Sequence, residues 1–113
     1  MFLTVSLLFA LICLVPASAK LAAIPAMQES AARFEIPWRR YQLIGAAELA
    51  AAAGVVAGIW LHKVGLAAAI GMAALLIGAL IFHRRAGDGA KEMAPALIAL
   101  VITAAYLVAA LAG

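Results

Sequence analysis

Glu48 is the residue whose type and position point most directly to chemistry. It is the only formal charge inside any of the chain's four long apolar runs, and it lies seven positions, about 10 Å of helix, beyond Tyr41. A carboxylate at such depth in a bilayer costs about 2.5–3.5 kcal/mol to insert, so it must face a bundle interior or a wet cavity and find a partner or a proton. An ion pair with Lys20 or Arg84, or a neighbouring hydroxyl, would make it a staple; without such a partner it could relay protons or bind a ligand. His83 is a second candidate, because an imidazole followed by Arg84 and Arg85 can titrate near physiological pH. Its place at the end of an apolar run is also explained by the helix dipole, which favours a cation there. Cys13 is the single cysteine, so no intramolecular disulfide or Cys-x-x-Cys pair exists. His62 falls at the opposite membrane face from His83, so no metal site is expected. Redox chemistry would require a borrowed cofactor.

The elements that must position these residues follow from composition. Of 113 residues, 69% are hydrophobic and 12% charged. Five acids and eight bases cannot clothe a water-soluble core of this size. The net charge of +3 does not indicate nucleic acid, because the bases form short clusters between apolar runs rather than a stripe. Four runs stand out: Phe2 to Ala19, Leu43 to Leu61, Val64 to Phe82 and Met93 to Ala112. Each is about 27–30 Å long as a helix, matching a hydrocarbon core of about 30 Å. Since lipid leaves backbone groups without partners and the runs show no period-two alternation, helices are expected rather than barrel strands. The expected fold is all-α: a single integral-membrane domain over residues 1–113, a four-transmembrane-helix bundle with spans about 2–19, 43–61, 64–82 and 93–112.

Charge then orients the bundle. With four spans, one side carries Lys20, Arg33, Arg39, Arg40, Arg84, Arg85 and Lys91, and the other only Lys63. The positive-inside rule places loops 20–42 and 83–92 in the cytoplasm and both termini outside. Ala17-Ser18-Ala19 also has the small residues of a signal-peptide cleavage site, but no base precedes the apolar run and cleavage would export the seven bases, so the run reads as a retained span. Between the first two spans a short interfacial helix is expected: Pro25 suits its start, Met27, Ala31 and Phe34 share a face, and Pro37 ends it. Trp38 and Tyr41 flank Arg39 and Arg40 as headgroup anchors, and Trp60 marks the opposite boundary. Gly87-Asp88-Gly89 suggests a tight turn, after which Glu92 and Pro95 open the last helix.

Small residues suggest the packing. Gly45 and Ala52 lie one turn either side of Glu48 and leave room for a helix or a ligand. Gly54-x-x-x-Gly58 is a separate close-packing face, and Ala74-x-x-x-Gly78 on the third span is a comparable surface. Packing between these two within the chain is the first use expected, and association of two copies as a homo-oligomer the second. No nucleophile–base pair or phosphate-cradling loop is visible.

Four segments in order resemble the DoxX-like family of small four-helix membrane proteins over nearly the whole chain. They are Ala19-Lys20-Leu21, Ile44-Gly45-Ala46-Ala47-Glu48-Leu49, His83-Arg84-Arg85-Ala86-Gly87-Asp88, and Lys91-Glu92-Met93-Ala94-Pro95. The resemblance implies a multi-pass inner-membrane protein of bacterial type, associated with membrane redox assemblies including a quinone-linked thiosulfate-oxidising system. It places the family's polar motif on Lys20, Glu48, His83, Arg84 and Asp88, as candidates for ligand or proton binding. Three functional readings follow: a membrane subunit or anchor serving a quinone-linked oxidoreductase partner, a structural or assembly protein, and a small proton-coupled transporter using Glu48.

Overall fold

The computed structural model describes residues 2–112 and is all-helical among them. Its five helices are α1 (Phe2–Leu21), α2 (Pro25–Arg33), α3 (Trp38–Ala57), α4 (His62–Arg85) and α5 (Ala90–Ala112). Three of them, α1, α4 and α5, are long and apolar enough to cross a membrane. Of the four expected spans, the one carrying Glu48 does not join that set. At 20 residues α3 is long enough, but Arg39, Arg40, Gln42 and Glu48 make it more polar than the others. The molecule is 41 Å along its longest axis, close to the roughly 40–45 Å of a bilayer with its headgroup layers.

The helices outrun the apolar segments. The connection expected over 20–42 is mostly helical: Lys20 and Leu21 finish α1, and Trp38 to Gln42 form the first turn of α3. That between 83 and 92 shrinks to Ala86–Gly89, because His83, Arg84 and Arg85 extend α4 and α5 starts at Ala90. The loop expected around His62 and Lys63 moves back to 58–61, and His62 opens α4. Apolar composition reports where lipid ends, whereas a helix continues into the headgroup layer wherever its backbone bonds can still form.

Three helix ends share one device. At Ala23, Glu35 and Gly87 the backbone turns left-handed, with φ of 57°, 59° and 78°. In each case the next residue's N–H reaches back five positions, as from Asp88 to the His83 carbonyl at 2.9 Å. Pro25 sits at the start of α2 as expected, but Pro37 does not end it. The left-handed Glu35 does, and Pro37 becomes the N-cap of α3. Pro95 lies inside α5 rather than at its opening, since that helix begins five residues earlier. Glu92 accepts the Gly89 N–H at 3.0 Å, one half of a capping box and a more specific role than dipole compensation.

The four long helices form a ring, each packed on two neighbours: α1 on α3, α3 on α4, α4 on α5 and α5 on α1. The interior holds Phe9, Cys13, Val55, Ala69, Met72 and Tyr106. Outward faces are apolar, with Val101 and Val108 each 68% and Leu111 71% exposed. Such a surface in water would be an association hazard, and in a bilayer it is the face that lipid wets.

Glycines set the closest approaches. Gly54 and Gly58 do pack within the chain, but against Ala68 and Gly65 at the start of α4, not against Ala74 and Gly78. Gly78 has open space beside it. A short 58–61 turn joins adjacent helix ends, so small residues near that turn must face one another whatever lies farther along. The Tyr106 hydroxyl lies against both Gly58 and Gly65.

Candidate functional site

Antiparallel packing of α1 on α3 brings the last turn of one over the first turns of the other. The Lys20 side chain lies across Gly45, where an added Cβ would stand 2.8 Å from the Lys20 Cβ. Its ammonium then reaches one turn deeper to Glu48, with Nζ 2.8 Å from Oε1. Both side chains are at most 10% exposed. The contact is a close, buried ion pair between the two helices. Of the partners open to Glu48 from sequence, tertiary packing selects Lys20. The space beside Gly45 is taken by this lysine and α1, not by a ligand.

Tyr41 lies on the outer side of this pair, its ring 5.2 Å from the Lys20 ammonium. Its side chain is itself buried. This interhelical pair and a second polar cluster lie at the same end of the bundle.

The second cluster joins α2 to the turn between α4 and α5. His83 Nδ1 is 2.6 Å from Asp88 Oδ2, and Arg33 Nη1 bonds the other carboxylate oxygen, Oδ1. The Asp88 side chain is only 7% exposed, so the guanidinium and the imidazole cover it almost completely. The left-handed Gly87 turns the chain back so that Asp88, just beyond the helix, faces His83. Phe34 packs its ring edgewise on His83 at 4.9 Å and closes the cluster from the α2 side.

Four of the five residues marked from sequence thus occur as two pairs, Lys20 with Glu48 and His83 with Asp88. Arg84 is exposed and joins neither pair among the described residues. Arg33 and Tyr41 were not marked as site residues. In the sequence Arg33 is one of the seven bases on one side, and nothing local announces a partner 55 positions away. Among the described residues no group of three His, Cys, Asp or Glu side chains could hold a metal ion.

Lipid-facing helices around a polar end define a multi-pass membrane protein. The model of the DoxX-like family matches residues 4–106, and the chain belongs to that family. No curated protein and no solved structure matches it.

Proposed function

We propose that this chain is a four-span inner-membrane subunit or anchor of a quinone-linked oxidoreductase system, with its polar end turned to the cytoplasm. In this reading α3 is the fourth span, α2 lies in the interface, and Glu48 enters the membrane already neutralised by Lys20. Seven bases at one end against Lys63 at the other support that orientation. The single observation that carries the proposal is the buried Lys20–Glu48 pair. Stability alone does not call for it, since replacing a buried ion pair by apolar side chains is often neutral or stabilising. An ionisable pair inside a span is instead the usual mark of a site. Quinone, if bound, would meet Tyr41, Lys20 and the His83–Asp88 pair at that end.

The test is a mild-detergent pull-down of the tagged protein, with mass spectrometry for polypeptides and solvent extraction for quinones. Co-purification of an oxidoreductase, with electron transfer per folded molecule lost in Glu48→Gln, is the expected result. A solitary bundle with no quinone would remove the redox reading.

A structural or assembly role is the second reading, favoured by Glu48 being matched by a lysine rather than facing an open cavity. Under it, Lys20→Met with Glu48→Leu would keep full activity of any assembled complex.

A further inference from the structure

The ends of α2 and α4 enclose a cleft of about 100 Å³ lined by Arg33, Phe34, Glu35, Phe82, Arg85 and Ala86. We propose that this cleft binds a phosphate group, and that the phosphate is the headgroup of an anionic lipid. The inference rests on the chain's place in a membrane and is independent of the quinone reading.

Three observations carry it. The first is the pair of guanidinium groups brought from separate elements. Arg33 stacks on Phe34 at 4.9 Å and Arg85 on Phe82 at 5.5 Å, so each group is held against an aromatic face. Arg33 gives Nη1 to Asp88 and keeps its remaining N–H donors, while Arg85 has no ion pair among the described residues. Planar five-donor groups converging on one cleft suit phosphate oxygens better than an ammonium would. The second observation is size: the cleft offers several times the roughly 10–15 Å³ that one water needs, room for a tetrahedral phosphate.

The third observation separates a lipid from free phosphate. Arg85 stands one turn beyond Ile81 on α4, and Ile81, Ile77 and Ile70 continue the same face at helical spacing, 54%, 51% and 62% exposed. A headgroup seated at Arg85 would lay its acyl chain along this apolar strip. The cleft also lies at the same end as Trp38 and Tyr41, whose side chains favour the headgroup level. Glu35 opposes an anion, but it is exposed and unpaired among the described residues, so its carboxylate can turn to water.

The experiment uses the full chain in phosphatidylcholine nanodiscs with increasing phosphatidylglycerol, with retained lipid counted by native mass spectrometry. Phosphatidylglycerol should be retained over phosphatidylcholine. Arg85→Gln should weaken that retention about tenfold, the scale of one charge-assisted contact. Arg40→Gln, an exposed arginine at the same end outside the cleft, should leave it unchanged, and Glu35→Gln should strengthen it. Equal losses in Arg85→Gln and Arg40→Gln would overturn the site, because general charge attraction would then suffice. In a second arm, inorganic phosphate is titrated into lipid-free micelles. Phosphate binding that needs Arg85, with no preference for phosphatidylglycerol, would overturn the lipid source.

Discussion

Lys20 shows how much one side chain depends on a neighbour that lacks one. Its stem crosses Gly45, and any Cβ there must push α1 away from α3. Gly45→Ala is therefore expected to cost about 1–3 kcal/mol, as overpacking does, and to separate Lys20 from Glu48. Thermal unfolding in micelles would read the loss. Glu48→Ala leaves a buried ammonium without its counter-charge and should cost about 3 kcal/mol or more, whereas Lys20→Met combined with Glu48→Leu should recover most of it. A double-mutant cycle over these two positions measures the coupling, and additive losses would show that the pair contributes nothing as a pair.

At the scale of elements, α2 is the part held least by apolar packing and most by its ends. Only Ala31 of its nine residues is buried. Ala23 and Glu35 flank it in left-handed conformations that favour glycine. Ala23→Gly should then stabilise the protein by up to about 1 kcal/mol, the strain relieved less the greater chain entropy of glycine. A lower unfolding temperature would contradict that account. Arg33→Ala should release α2 from Asp88 while the four-helix ring stays intact. Hydrogen exchange should rise across 25–33 with the long helices unchanged, and a global rise would show that α2 helps to hold the ring itself.

The whole molecule is polarised. Lys20, Arg33, Arg39, Arg40, Arg84, Arg85 and Lys91 gather at one end with both polar pairs, while Trp60 stands 77% exposed at the other. This supports a single orientation, with the basic end in the cytoplasm. Cys13 is buried and the only cysteine, so Cys13→Ser makes a clean background for site-directed labelling. In intact cells an impermeant thiol reagent should label a cysteine placed at Trp60 and not one placed at Glu29. Labelling at Glu29 alone would invert the topology, and labelling at both sites would mean dual insertion.

Hydrophobic content and charge asymmetry determined a great deal about this chain, because lipid compatibility depends on composition before any tertiary contact exists. The all-helical class, the apolar segments and the lone membrane acid were all legible at that level. So was the family, from short ordered motifs. Helix ends were less legible, since a backbone in the headgroup layer can stay helical through Trp38 or Arg85 although hydropathy has already fallen. Partner choice was not legible. Glu48 had two cations and a hydroxyl open to it, and only the α1–α3 crossing over Gly45 brings Lys20 to it. Arg33 meets Asp88 because α2 folds back beneath the end of α4, a contact between residues 55 positions apart. Glycines at 54 and 58 announce a close approach, but the partner depends on which helix the chain returns beside, and the short 58–61 turn makes it the start of α4. Composition limits what each residue can tolerate, and the chain's path through space decides which of the tolerated neighbours it meets.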